Sequence, residues 1–345
     1  MSKIKVAVVG TGNIATAAHF PVYAAMEDVE IVSVADIDFA KAKAVAEKFN
    51  VPKAFASVYD LLEGSDPDIV DVCVWPAAHA EVTIAAANAG KNVVCEKPTC
   101  DSIENALKMR EAVVKNGVNF MLATPLRFGE QATYLRSLVD RGEFGEVFYG
   151  KTAYVRQRGI PGGWFSCRKY AGGGPVLDVG VHRIDLAWYL MGCPKPTSIT
   201  ATISNRIGDY RDATSTGWAG ASVPDYVFDT EDSGTGFIRF ANGASLYFET
   251  SWSFNGPVYN FTQIAGDKGG ATYDPLKIYR SEGAKLVEEA PEIKSRSYYN
   301  LELEHFIDCV KNGKTPSADI EQAVMLESIL DGIYKSAAAG CEIKL

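Results

Sequence analysis

The sequence predicts an α/β fold: a doubly wound parallel sheet with covering helices, followed by a second, α+β domain that contains antiparallel hairpins. Three observations carry this. Short β-branched runs alternate with helical stretches up to about Thr124, the alternation changes to period two beyond Pro125, and a glycine-rich turn joins the first strand to the first helix.

Five runs in the first part, "IKVAVV", "IVSVAD", "IVDVCV", "NVVCEK" and "NFMLAT", are nearly continuous in apolar character. Strands of that kind are buried on both faces, as in a parallel sheet with helices on either side. Helices such as "FAKAKAVAEKF" and "SIENALKMREAVVK" supply the cover. "SVYDLLE" opens on a serine suited to cap a short helix before the turn at "GSDPD", and "AEVTIAAANAG" closes on Gly90, a natural C-terminal cap. Beyond Pro125, "GEQATYLRSLVDRGEFG" reads as one amphipathic helix. "TGFIRF" and "ASLYFETSW" form a hairpin around "ANGA", and "FTQIAG" continues the alternation. Residues 300–340 carry two helical patterns split by "NGKTPS" and closed by Gly340. These helices are expected to pack back on one of the two domains, 1–124 or 125–345.

Composition narrows the partners. The 345 residues are 47% hydrophobic and 22% charged, ordinary for a soluble chain of two domains. A formal net charge of -9 without a basic patch argues against nucleic acid and against an anionic membrane surface. The opening "MSKIKVAVVG" is too short in apolar run for a secretory signal, and no stretch approaches the ~18 apolar residues of a membrane span. Seven cysteines without a Cys-x-x-Cys pair read as reduced thiols of a cytoplasmic protein. No His or Cys cluster completes a tetrahedral set, so no metal is expected.

Gly10-Thr11-Gly12-Asn13-Ile14-Ala15 matches the Gly-x-Gly-x-x-Gly/Ala pattern between a strand and a helix. The first glycine makes the turn, the second lets a pyrophosphate approach the backbone, and the third position packs helix on strand. The N–H groups of the helix start, at Asn13 and Ile14, favour the anion. Asp36 ends the second strand, where a carboxylate accepts both ribose hydroxyls and repels a 2′-phosphate, and no arginine follows closely. The expected cofactor is NAD in preference to NADP. Asp36 could instead cap the helix "FAKAKAVAEKF". Trp75 and Pro76 follow "IVDVCV" at the edge where such sheets bind ligands, and His79 lies on the first turn of the next helix. Each is a cofactor neighbour or else a packing residue.

A nicotinamide site needs a group that handles a proton, which histidine does near neutral pH. Of the four histidines, His19, His79, His182 and His305, the surroundings of His182 stand out. It lies in "AGGGPVLDVGVHRIDLAWYL", at i+4 from Asp178, a spacing that puts imidazole and carboxylate on one helical face. An ordinary helix ion pair would use the same spacing. His305 sits mid-helix, and His19 lies near the end of the first helix. A separate puzzle is "NVVCEKPT", where a buried strand stops on Glu96, Lys97 and Pro98.

"CEKPT", the N-terminal glycine pattern and "GGGPVLDVGVHRIDLAWYLMG" together resemble the Gfo/Idh/MocA oxidoreductase family, whose members include inositol dehydrogenases, glucose-fructose oxidoreductases and sugar reductases. The likeness continues through "AAHAEVTIAAANAGKNVVCEKP", "DRGEFGEV", "DTEDSGTGFIRFANGASLYFETSW" and "FIDCVKNGKTPSADIEQA", and so covers essentially the whole chain. It implies a Rossmann domain, then an α+β domain with a large, mostly antiparallel open sheet that often pairs between subunits in homodimers or homotetramers. It implies Lys97 as the lysine of the Glu-Lys-Pro motif, Asp178 as the substrate-orienting aspartate and His182 as the catalytic acid/base.

The reaction it implies is hydride transfer between a secondary alcohol of a sugar, inositol or related polyol and a nicotinamide cofactor. On that reading His182 takes the hydroxyl proton, Lys97 donates to the same oxygen, and Glu96 fixes the lysine or the cofactor end. Pro98 makes the preceding bond a candidate for the cis form. Arg127 in "TPLRF", and Trp164, Arg168 and Lys169 in "GGWFSCRKYAGGG", are candidate substrate contacts. The alternatives are a domain-interface ion pair for Arg127 and plain surface positions for the others. Two rival functions share these features: an NAD-dependent glycoside hydrolase working by transient oxidation, and a nucleotide-sensing protein. Sensing has no use for a lysine aimed at an alcohol.

Overall fold

The first sheet of the computed structural model is parallel throughout. Its strands are β1 (Ile4–Val9), β2 (Val29–Ala35), β3 (Ala54–Phe55), β4 (Ile69–Val72), β5 (Asn92–Glu96) and β6 (Phe120–Ala123), in the order β3-β2-β1-β4-β5-β6. The structure describes residues 3–208 and 219–345. Val6 to Val9, Val70, Val72 and Val93 to Cys95 are buried, as runs of β-branched residues covered on both faces must be. β3 has two residues and no apolar run to announce it.

Local signals set the helix ends. Ser57 caps Val58–Gly64 by accepting from the Asp60 amide at 3.1 Å, and Ser102 caps Ile103–Asn116, which closes on Gly117 at φ +63°. Asp38, and not Asp36, caps Phe39–Phe49, accepting from the amides of Ala40 and Lys41. The strand order reverses between β1 and β4, so the loops at the carboxyl ends of these strands border the crevice where such sheets bind ligands.

The chain divides into two units, Met1–Thr124 with Tyr299–Glu327 and Pro125–Tyr298 with Ser328–Leu345. The segment 299–327 joins the first unit through named contacts. The Leu122 amide donates to the Ala318 carbonyl at 2.9 Å, the Thr99 hydroxyl donates to the Ala323 carbonyl at 3.0 Å, and Arg110 pairs with Glu321. Leu303, Phe306 and Ile307 of helix Tyr298–Asn312 are buried. The last helix, Ile320–Ala339, begins in the first unit and ends in the second.

The second unit is built on a sheet of β7 (Val147–Val155), β8 (Pro196–Ser204), β9 (Ser233–Phe240), β10 (Ser245–Ser251), β11 (Tyr259–Gly266), β12 (Gly269–Tyr273), β13 (Lys277–Glu282), β14 (Lys285–Glu289) and β15 (Ile343–Lys344). The order is β14-β13-β12-β11-β7-β10-β9-β8-β15, and every pair is antiparallel except β10 with β7. The β9–β10 hairpin is the one expected around "ANGA". The amphipathic helix is shorter than expected, Glu130–Asp140, because Gly142 at φ +72° and Gly145 at φ +68° turn the chain. Helix Val181–Leu190 buries Ile184, Leu186, Ala187 and Trp188 and packs against β7 and β11. Among the described residues no helix is long and apolar enough to cross a membrane.

Candidate active site

In the first unit the predicted cofactor residues gather at the carboxyl ends of the strands. Gly10 has φ +98°, and a Cβ there would lie 2.3 Å from the Cys73 carbonyl oxygen, so the turn admits only glycine. Gly12 differs, since an added Cβ would meet nothing within 4 Å. Nothing in the protein's own packing demands glycine there, as fits a backbone left bare for a ligand. Gly12 and Asn13 are exposed and Ile14 is half-buried where the helix begins. The Asp36 carboxylate accepts from the Thr11 amide at 2.8 Å, from the Thr11 hydroxyl at 2.5 Å and from the Asp38 amide at 2.9 Å, which ties the end of β2 to the glycine turn. Trp75 is half-buried at the N-cap of Pro76–Asn88, with Pro76 opening the helix.

Lys97 follows β5, half-buried, and its bond to Pro98 is cis. Glu96 is turned inward: one carboxylate oxygen accepts from the Lys97 amide at 3.1 Å, and the other lies 3.1 Å from His19 Nε2. Both oxygens therefore meet groups of the protein itself, one of them the backbone of the lysine turn. The expectation for His79 is corrected. His79 is fully buried, with Nδ1 at 2.8 Å from the Pro98 carbonyl oxygen and Nε2 at 3.1 Å from that of Val74, and so packs beneath the site. Burial lowers its pKa against the pull of these carbonyls and keeps the ring neutral.

Sequence reasoning passed over His19. It is completely buried at the end of a π turn, Ala15–His19, that precedes helix Phe20–Ala25. Its Nδ1 lies 2.7 Å from Asp71 Oδ2 and 3.5 Å from Cys73 Sγ, and the Cys73 thiol donates to Asp71 Oδ1 at 3.4 Å. Burial opposes protonation of His19, but Asp71 and Cys73 outweigh it and hold the imidazole well above its ordinary range. Burial and the Asp71 charge push the Cys73 thiol up as well. A signal did exist: Asp71 interrupts the apolar strand "IVDVCV", and a carboxylate buried there requires a partner.

The second unit holds Asp178 and His182, the pair expected to orient the substrate and handle the proton. Asp178 lies in a π turn, Val176–Gly180, that runs into helix Val181–Leu190 carrying His182. The pair therefore spans the junction of a wider turn with an α-helix, where a regular helix was expected. Both side chains are half-buried. Asp178 Oδ2 accepts from Trp252 Nε1 at 2.9 Å, and Trp252 is buried in a cluster with Ile160 and Val179.

Glu231, which the stretch "DTEDSGTGFIRF" contains but to which the sequence assigns no role, anchors the start of this segment. Its Oε1 accepts from the amides of Gly174 at 2.9 Å and Val176 at 3.3 Å and from the Tyr334 hydroxyl at 2.7 Å. A Cβ on Gly174 would lie 2.2 Å from the Glu231 carbonyl oxygen, and one on Gly173 would lie 2.0 Å from the Tyr334 hydroxyl. The glycine run thus exists to admit these anchors.

The four candidate substrate residues part company. Arg127 is buried and ion-paired with Asp185, its Nε donating to Oδ2 at 3.0 Å. The ion pair expected of it is thus present, with both partners in the second unit and not one on each side of the boundary at Thr124, and its burial against Asp185 does not fit a substrate contact. Arg168 reaches the Gly172 carbonyl at 3.3 Å, lies 3.8 Å from Glu231 Oε2 and stacks over Tyr334, so its charge serves the glycine run. Lys169 is exposed, and Trp164 stacks on Phe165 with ring centres 3.8 Å apart.

Two family models match this chain: the "Oxidoreductase family, NAD-binding Rossmann fold" model over residues 4–124 and the "GFO/IDH/MocA C-terminal domain" model over residues 132–272. The chain belongs to the Gfo/Idh/MocA oxidoreductase family. As a Gfo/Idh/MocA member it is an NAD(P)-dependent dehydrogenase. It is 32% identical to the D-glucoside 3-dehydrogenase of Escherichia coli K12 over 100% of this chain and 98% of the relative. It is 27% identical to the scyllo-inositol 2-dehydrogenase (NAD(+)) of Bacillus subtilis 168, over 94% of this chain and 92% of that one. The D-xylose 1-dehydrogenase (NADP(+)) 2 of Haloferax volcanii is 27% identical over 98% of both chains. Levoglucosan dehydrogenase in complex with NADH shares the Gfo/Idh/MocA fold, with a TM-score of 0.86, 22% identity and 99% of each chain covered.

Proposed function

We propose that this dehydrogenase reversibly oxidises a secondary ring hydroxyl of a sugar, glycoside or related polyol, with NAD preferred over NADP. The observation that carries the reading is the placement of Asp178, fixed by Trp252, on the π turn that runs directly into the helix carrying His182. The relationship to a D-glucoside 3-dehydrogenase supports a pyranoside ring as the substrate class.

When bound, the nicotinamide supplies the acceptor for the hydride leaving the carbinol carbon. His182 takes the hydroxyl proton as the C–H bond breaks and the C=O bond forms, and returns it in the reverse direction. The Lys97 ammonium donates to the same oxygen and stabilises its developing charge. Asp178 accepts from a substrate hydroxyl and so orients the ring. The bare backbone at Gly12 and the N–H groups of Asn13 and Ile14 would hold the pyrophosphate, and Asp36 the ribose, with Trp75 and Pro76 beside the cofactor. Trp164 and Lys169 are the proposed outer substrate contacts.

We place the protein in the cytoplasm as a homodimer or homotetramer. All seven cysteines are free thiols, which suits a reducing compartment. Half-exposed Tyr247, Tyr259 and Phe261 on the large sheet suit pairing of that face between subunits. The test is a panel of methyl glycosides, inositols and aldoses, each offered with NAD and with NADP while NADH or NADPH absorbance is followed. Stoichiometric appearance of NADH with a ring polyol is expected. Release of aglycone without net NADH, or no reaction across the panel, would overturn the reading.

A further inference from the structure

His19 lies beneath the lysine turn with a carboxylate oxygen at each ring nitrogen, Asp71 at 2.7 Å and Glu96 at 3.1 Å. A neutral imidazole donates through one nitrogen only, and its other lone pair would then face a carboxylate that carries a full negative charge, unlike the uncharged carbonyl oxygens around His79. Inside the protein, away from water, that repulsion is strengthened. An imidazolium satisfies both contacts at once. The groups facing the ring are Asp71, Cys73, Glu96 and the edge of Tyr23 at 6.5 Å, with Glu302 acting on Tyr23 from helix Tyr298–Asn312. None of these is a cation, so the negative charge around the ring is answered by the ring itself.

Glu96 links this buried group to the chemistry. One oxygen of its carboxylate meets His19 and the other accepts the Lys97 amide. If the carboxylate swings, the backbone that carries the lysine loses its anchor. We propose that His19 is a positioning residue: held as an imidazolium between Asp71 and Glu96, it fixes the carboxylate that anchors the Lys97 amide and thereby sets where the lysine ammonium is delivered. This rests on the assignment of Lys97 to the reacting oxygen, while the charge state of His19 does not.

The experiment has two arms. The chain contains four histidines, so nitrogen-15 labelling of histidine yields four ring systems. His79→Gln, His182→Asn and His305→Asn identify three by loss. At about pH 8, well above an ordinary imidazole, the ring that remains, His19, is expected doubly protonated. A neutral ring there overturns the proposal, and this arm needs neither substrate nor a change at His19.

In the second arm, His19→Gln, Glu96→Gln and the double variant are assayed with a substrate found in the panel. His19→Gln is expected to lower kcat about 10- to 100-fold, the scale of a misplaced reacting group, with KM for NAD within about threefold. It should add little in the Glu96→Gln background. Unchanged kcat, or the same fold-loss in both backgrounds, overturns the route through Glu96. A panel without any substrate defeats the dehydrogenase reading instead, and the labelled spectra still decide the charge on His19.

Discussion

His79 lies 2.8 Å from the carbonyl oxygen of Pro98 through Nδ1 and, through Nε2, 3.1 Å from that of Val74, so one buried ring ties the turn after β5 to the turn after β4. Burial depresses its pKa, so the folded protein holds the ring neutral while the unfolded chain takes up a proton near ~6.5. The stability it contributes is therefore present above about pH 6.5 and declines as pH falls toward the depressed value. Thermal melts of wild type and His79→Gln should differ most near neutrality and converge on acidification. A gap in Tm that does not change with pH would contradict this.

Trp252→Phe tests the anchoring of Asp178. The change removes the indole N–H that donates at 2.9 Å and leaves most of the buried apolar surface in place. A lost hydrogen bond to a charged group is worth about 1.5–3 kcal/mol. If that interaction orients the substrate, kcat/KM should fall roughly 10-fold or more, while NADH affinity, measured by fluorescence titration, stays near wild type.

Lys97→Met and His182→Ala address the two chemical roles separately. Each should reduce kcat by ~100-fold or more, the usual contribution of a placed proton-transfer group. Near-full turnover in either variant at neutral pH would remove that residue from the mechanism.

Asp36→Ser should weaken NAD use and improve NADP use if, as proposed, its carboxylate is what repels a 2′-phosphate. The measurement is the ratio of kcat/KM values for the two cofactors. The same change removes acceptors from the Thr11 amide and hydroxyl, so a small fall in Tm should accompany it.

The Arg127–Asp185 pair makes a stability prediction. Asp185→Ala leaves a guanidinium buried without its carboxylate, which costs about 3–5 kcal/mol. The double change Arg127→Met with Asp185→Leu removes both charges and should recover much of that loss in denaturant melts. Substrate affinity of the double variant should be unaltered if Arg127 plays no part in binding.

What could be read in advance was whatever lay contiguous in the chain. β1, β2, β4, β5 and β6 are apolar runs, and the glycine turn, Lys97, Asp178 and His182 sit in short motifs. β7 escaped notice although it lies inside the large sheet. Its "VFYGKTAYV" is interrupted by Gly150, where a Cβ would come within 2.6 Å of Met191 Sδ, a reason visible only after folding. The supporting polar groups were hidden for the same cause. His19 meets partners 52 and 77 residues away, and Glu231 meets Gly174 57 residues away. Arg127 was legible as a ligand contact or an ion pair but not its partner, because nothing near it in sequence announced Asp185, 58 residues on.

The bond from the Thr99 hydroxyl to the Ala323 carbonyl spans 224 residues and has a temporal meaning. A ribosome adding roughly 5–20 residues per second makes β5 and its lysine turn tens of seconds at most, and on the order of ten seconds at least, before Ala323 emerges. Through that interval the amide of Leu122 and the hydroxyl of Thr99 lack their native acceptors, and the surface later covered by Leu303, Phe306 and Ile307 stays open. The half of the molecule that begins first is thus among the last to be finished, and a nascent chain halted before Glu327 would carry every residue proposed to hold the nucleotide on an incomplete scaffold.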